Sequence, residues 1–96
     1  MQEKVIEAYL RDQVKTLGGK AYKFVSPGTA GVPDRLVLLP NGKAVFVELK
    51  ATGKKATALQ EAQHRKIRNL NFEVFTIDRK TEVDKFIDHC REMLSQ

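Results

Sequence analysis

The chain has 96 residues, 42% of them hydrophobic and 30% charged, a balance that excludes intrinsic disorder and fits one globular domain spanning 1–96. Lys and Arg number 17 against 12 Asp and Glu, a net charge of +5, so the expected partner is a polyanion, nucleic acid first. The single cysteine, Cys90, excludes an intramolecular disulfide, no apolar run approaches the ~18 residues of a membrane span, and MQEKVIEAYL has no signal-peptide core, so the reading is cytoplasmic with no membrane.

Residues 3–17 predict a helix, with Ile6, Leu10, Val14 and Leu17 at helical spacing and Gly18-Gly19 as its stop. Residues 20–26 predict a strand, 27–31 (PGTAG) a loop, and 33–39 a second strand, where Pro33 is tolerable at the first position. Residues 40–42 (PNG) form a turn, 43–51 a third strand, and 52–57 (TGKKAT) a basic, flexible connection. Residues 58–70 predict an amphipathic helix with Leu59, Ala62, Ile67 and Leu70 roughly on one side, and Asn71 suits the left-handed residue that closes it. Residues 72–77 read as a strand. Residues 81–94 read as a closing helix with Thr81 as N-cap and Val83, Phe86, Ile87, Cys90 and Leu94 as its apolar stripe. The order is α-β-β-β-α-β-α, and Cys90 reads as a core thiol.

Three charges interrupt the apolar strands: Asp34 in GVPDRLVLL, and Glu48 and Lys50 in AVFVELKA. Charges buried in a sheet are costly unless paired or bound to a cation. The hairpin register decides whether they meet. A two-residue Asn41-Gly42 loop sets Asp34 opposite Leu49. A three-residue Pro40-Asn41-Gly42 loop sets Asp34 opposite Glu48, with Lys50 two residues further along the same side. Turn chemistry favours the second: proline suits the second position of a type I turn, and Gly42 supplies a left-handed residue.

Two carboxylates facing each other repel unless one is protonated or a cation lies between them. Oxygen donors of this kind suit Mg²⁺ or Mn²⁺. Lys50 could position or deprotonate a water, or neutralise a phosphate. In a basic protein this set points to phosphodiester hydrolysis. The competing reading is a structural ion pair that only holds the sheet.

The wider string KFVSPGTAGVPDRLVLLPNGKAVFVELKATGKK…LQ resembles the VRR-NUC family of small nucleases, within the PD-(D/E)XK superfamily. The resemblance rests on Gly31-Val32-Pro33-Asp34-Arg35, Phe46-Val47-Glu48-Leu49-Lys50 and Leu59-Gln60, and runs from the first helix to FEVFTID. One departure is Asn71, where the family usually has glycine; asparagine tolerates the same backbone. The resemblance implies an α/β, restriction-endonuclease-like α-β-β-β-α-β core, a mixed sheet flanked by helices, plus a C-terminal helix.

It further implies that Asp34 and Glu48 bind metal, that the Leu49 carbonyl completes a coordination position, and that Lys50 is the catalytic lysine. Gln60 matches the family's additional active-site glutamine, although Thr57-Ala-Leu-Gln60 also reads as a capping box. A first-helix glutamate contributes in such sites, and both Glu3 and Glu7 are candidates. With Ile6 at zero and about 100° per residue, Glu3 falls at about 60°, inside the apolar stripe, and Glu7 at its edge, so Glu3 is preferred. Lys23, Ser26, Arg35, Lys54 and Lys55 are candidate nucleic-acid contacts, each with a plain surface reading beside it. His64 and His89 read as ordinary surface or partly buried histidines.

No zinc motif or helix-turn-helix is present, which favours recognition of DNA shape over sequence. By resemblance, the expected activity is a divalent-metal-dependent endodeoxyribonuclease acting on branched DNA such as four-way (Holliday) junctions. A homodimer would set two sites on two strands, in a bacterial or phage-infected cell. The rivals are a non-catalytic DNA-binding module that keeps the fold, and a protein unrelated to nucleic acid whose charges form a structural cluster.

Overall fold

In the computed structural model, which describes residues 1–96, helix α1 (Glu3–Thr16) turns Ile6, Leu10 and Val14 fully inward. It ends where the double glycine predicts. Gly18 takes φ 79°, its N–H donates to the Lys15 carbonyl, and the Gly19 N–H reaches back to the Val14 carbonyl. That 6→1 and 5→2 pair is the Schellman closure. The chain continues through β1 (Lys20–Lys23), β2 (Arg35–Leu39), β3 (Lys43–Leu49), α2 (Ala58–Arg68), β4 (Val74–Ile77) and α3 (Lys80–Leu94). This is the expected α/β order: a mixed four-stranded sheet with flanking helices.

The sheet order is β1-β2-β3-β4. The first three strands are antiparallel, and β4 runs parallel to β3. A parallel neighbour needs a crossover, which α2 supplies. Strands are shorter than their apolar runs because ladder pairing gives way to single bonds at the ends. The Phe24 N–H still donates to the Asp34 carbonyl, and the Lys50 N–H to that of Ile77, at 2.9 Å each.

The hairpin register is the one that turn chemistry favours. Leu39 pairs with Lys43 and Arg35 with Val47, across the loop Pro40–Gly42. The turn type differs from expectation. Asn41 sits at φ 64° as well as Gly42 at 74°, so the turn is not type I. Asparagine tolerates that left-handed backbone, and the register survives because loop length is unchanged.

The two sheet faces differ. One packs on α1 and α3 around a cluster of 13 buried residues that includes Val37, Val45, Val47, Leu49, Ile77, Phe86 and Cys90. Burial pushes the Cys90 thiol up to about 11, as suits a core thiol. The second face carries Tyr22, Leu36 and Phe46 in one cross-strand row and Leu38 beside Ala44 in the next. Helix α2 covers only its β3–β4 end, where Arg68 donates to the Val74 carbonyl.

Two expectations about helices fail here. Leu59 and Leu70 are 52% and 71% exposed, and the one fully buried residue of α2 is His64. The stripe is therefore only partly seated, with Ala62 and Ile67 half-buried and both leucines outside, because α2 lies over Glu48 rather than over the hydrophobic core. Helix α3 begins at Lys80 with Arg79 as N-cap, not Thr81. Just outside the helix, Asp78 accepts two hydrogen bonds from Arg79, and the helix starts one residue earlier than expected. No helix is long and apolar enough to cross a membrane.

Candidate active site

The loop that delivers Asp34 is shaped by Gly31. It holds φ 91°, and a Cβ there would stand 2.9 Å from the Leu59 carbonyl oxygen. Only glycine lets the loop lie this close to the first turn of α2. Val32 and the buried Pro33 then lead into Asp34, one residue before β2. Continuing the β2–β3 register by one step brings Asp34 opposite Glu48, on the face away from the core cluster. The Leu49 backbone N–H donates to Asp34 Oδ1 at 3.0 Å, fixing that carboxylate across the strands.

Glu48 is 4% exposed, a buried acid in a strand whose other buried residues are Val45, Val47 and Leu49. Lys50 Nζ lies 3.3 Å from its Oε2. Gln60 Nε2 donates to the same oxygen, also at 3.3 Å. Gln60 meanwhile completes a capping box: its Oε1 accepts from the Thr57 N–H at 2.9 Å, and its own N–H donates to Thr57 Oγ1. The capping and site readings of this residue are therefore compatible, since the amide uses one end for each.

Both carboxyls are held above their ordinary range. For Glu48 the chief cause is burial, then the charge of Asp34, opposed by Lys50. For Asp34 it is burial, opposed by the Leu49 N–H and by Arg35. Glu3 adds a further push upward on each. Glu7 instead pairs with Arg11 at 3.2 Å and Arg35 at 3.8 Å. Of the two first-helix acids, Glu3 is thus the one whose charge reaches the pair. It does so from an exposed position at the start of α1, not from within the apolar stripe.

The other named residues divide by face. Arg35 points to the α1 side, where Glu7 and the Asp34 carbonyl occupy its guanidinium. The alternation of β2 turns it away from the acids. Lys23, Lys54 and Lys55 are exposed and Ser26 half-buried. The connection 52–57 is not slack. Asp78 accepts from the Gly53 N–H at 3.0 Å, the Asp78 carbonyl accepts from the Thr52 hydroxyl, and the Thr52 N–H bonds the Met1 carbonyl. Arg79 and that Gly53 bond hold the Asp78 carboxyl down at about 2.

His64 was not singled out by the sequence and proves to be part of this site. It is fully buried, its Nε2 stands 4.0 Å from Glu48 Oε1, and burial lowers its pKa, which keeps the ring neutral. The available signal was spacing: Gln60 and His64 are four apart, hence on one face of α2. His89, by contrast, pairs with Glu73 at 2.8 Å on the α3 side, as a partly exposed histidine.

The donor set fits a hard divalent cation. Two carboxylates meet, and no cluster of three His, Cys, Asp or Glu is present. Mg²⁺ characteristically takes one or two protein carboxylates and keeps waters elsewhere. Glu48 Oε1 is buried without a hydrogen-bond partner, so it has lone pairs to give.

No family model matches the chain. It is 51% identical over 78 residues to a protein of Acyrthosiphon pisum secondary endosymbiont phage 1 described as "Putative nuclease p44", covering 81% of this chain and 84% of that one. A solved structure described as "VRR_NUC domain" superposes with a TM-score of 0.84 at 34% identity, covering 91% of this chain and 95% of the other. With 34% identity over nearly the whole of that domain and a phage nuclease relative at 51%, the chain belongs to the VRR-NUC family of nucleases.

Proposed function

We propose that this nuclease is a divalent-metal-dependent DNA endonuclease selective for branched structures. The observation that carries the reading is the convergence of Asp34, Glu48 and Lys50 beside the Leu49 backbone, with both acids raised in pKa by burial. Such an arrangement is expensive for a fold and useful for hydrolysis. Asp34, Glu48 and the Leu49 carbonyl are the residues that would hold Mg²⁺ or Mn²⁺. The cation, when bound, supplies Lewis acidity toward the scissile phosphate and lowers the pKa of the attacking water. Lys50 stands by to orient that water or balance phosphate charge. Gln60 holds Glu48 in place, and Glu3 adds a further acid at the rim.

DNA as substrate is supported by the charge of +5 and by exposed Lys23, Lys54 and Lys55. A basic depression lined by Arg11, Asp12, Lys15, Gly19 and Lys20 lies at the opposite end of α1, suited to a second phosphate contact. Preference for branched DNA goes with a homodimer, in which paired sites address two strands. The half-open apolar sheet face supports that assembly. Tyr22, Leu38 and Phe72 are 45%, 41% and 45% exposed, and Phe72 stacks edge-on with Phe46. An apolar patch on a sheet face commonly marks an interface.

The test is a cleavage assay on labelled four-way junction, flap, duplex and single-stranded DNA with Mg²⁺, Mn²⁺ or EDTA, beside Lys50→Ala. Metal-dependent cutting of the junction, lost in Lys50→Ala, is the expected result. Equal cutting of every substrate removes the structure selectivity, and cutting in EDTA removes the metal. Sedimentation of wild type and Leu38→Glu tests the dimer, which the variant is expected to dissociate.

A further inference from the structure

Helix α2 buries one residue completely, and it is a histidine, while Leu59 in its first turn and Leu70 just past its end stay in solvent. Packing alone would favour the reverse. Neither ring nitrogen of His64 has a hydrogen-bond partner. The third buried side-chain atom without one is Glu48 Oε1, the oxygen that His64 Nε2 faces at 4.0 Å. Lys50 and Gln60 both lie on the other oxygen, Oε2. An orphaned buried polar group costs about 1–3 kcal/mol, so two orphans facing each other call for a shared explanation.

We propose that His64 is a positioning residue for Glu48, donating Nε2–H to Oε1 and locking the carboxylate between α2 and β3. The separation is about 1 Å beyond hydrogen-bond range, a gap that a small turn of the carboxylate or of the imidazole closes. With Oε2 held by Lys50 and Gln60 and Oε1 steadied by His64, both oxygens of Glu48 are fixed in orientation. Groups that orient a ligating carboxylate in this way typically change metal affinity or activity by about 10–100-fold when removed. The inference deepens the proposed function by adding a residue to the same site, and it is testable apart from cleavage.

The first measurement needs no DNA. In the full-length protein labelled with ¹⁵N-histidine, His64 is expected as the Nε2–H tautomer with a slowly exchanging ring proton. Its signals should shift when Mg²⁺ is added and again in Glu48→Gln. An Nδ1–H tautomer, or a ring that ignores Glu48→Gln, overturns the proposal. The second compares His64→Phe with His64→Gln. The phenyl ring fills the space without a donor, and the glutamine amide restores one. Expected for His64→Phe are a 10–100-fold weaker Mg²⁺ affinity by calorimetry and a similar loss of kcat, with KM for DNA within about 3-fold. His64→Gln should recover most of both. Wild-type Mg²⁺ affinity in a folded His64→Phe refutes the role. If that variant does not fold, the tautomer and its response to Glu48→Gln decide. If the wild type cuts no DNA, the ring signals and Mg²⁺ affinity still separate this inference from the proposed activity.

Discussion

Replacing Gly31 with alanine probes the contact that seats α2 over the acids. Gly31 holds φ 91°, and an added Cβ would meet the Leu59 carbonyl oxygen at 2.9 Å and Leu59 Cγ at 3.0 Å. The left-handed backbone costs an L-residue about 1–2 kcal/mol. The Cβ stands about half an ångström inside ordinary van der Waals contact, against a helix backbone that cannot swing aside. Overpacking of that kind costs roughly 1–3 kcal/mol. The unfolded chain loses some freedom with alanine, which returns about 0.4–1 kcal/mol. The net expectation is a destabilisation of roughly 2–4 kcal/mol, or a fall in Tm of at least ~8 °C for a domain of this size. Gly28→Ala is the internal control. It shares the backbone problem at φ 84° but has nothing within 4 Å of the new Cβ. Thermal melts followed by circular dichroism, with urea titrations, give both values. Cleavage should fall with stability in Gly31→Ala, because a shift of half an ångström in α2 breaks the 3.3 Å Gln60–Glu48 hydrogen bond. Equal melting of the two variants would refute the argument that close approach, and not backbone conformation alone, demands glycine at 31.

Glu48→Gln removes a carboxyl whose folded pKa is raised by burial and by Asp34, so the metal-free protein should become more stable while cleavage is abolished. The sign follows from linkage: the folded state binds protons more tightly, so stability is greatest at low pH and declines as pH rises from the ordinary values of 3.8 and 4.5 through the raised pKa values of Asp34 and Glu48. Urea unfolding from pH 4 to 8 in EDTA should show that decline in wild type and a shallower one in Glu48→Gln. Asp78 acts in the opposite sense. Its pKa is depressed to about 2, so its contribution is present above 3.8 and disappears as pH falls toward 2. Asp78→Ala should speed hydrogen exchange at the Gly53 amide, measured by mass spectrometry, while the core amides of β3 keep their protection. Lys50→Ala should lower kcat by about 10²–10⁴-fold in single-turnover cleavage, the usual range for a group that handles a proton or charge in the transition state.

The acids were legible because local rules fix them. A three-residue loop sets the hairpin register, and register alone decides that Asp34 meets Glu48 and that Arg35 faces away. Helix ends at Gly18 and Asn71, the latter at φ 70°, follow from backbone chemistry of single residues. The failures share a different origin. The apolar positions of α2 imply a buried leucine stripe, but burial depends on what the sheet presents beneath the helix, and there it presents Glu48. His64 reads as an ordinary histidine for the same reason, since its partner lies 16 positions away on β3. Asp78 bonds both Arg79, the N-cap residue of α3, and the loop at Gly53, the latter a link of 25 residues with no periodic trace. Contacts of that range appear only once the crossover is folded.

Gln60 spends its amide oxygen on the Thr57 N–H and its amide nitrogen on Glu48. That double use narrows which residues position 60 can accept. Glutamate would keep the helix start but press a third negative charge against the two acids. Lysine would suit Glu48 but leave the Thr57 N–H without an acceptor. Leucine would forfeit both, and asparagine is one methylene too short to span them. Only a side chain of this length with opposite polarity at its two tips satisfies both neighbours. Helix initiation and carboxylate orientation are thereby joined in one residue, so drift at this position sacrifices at least one of them.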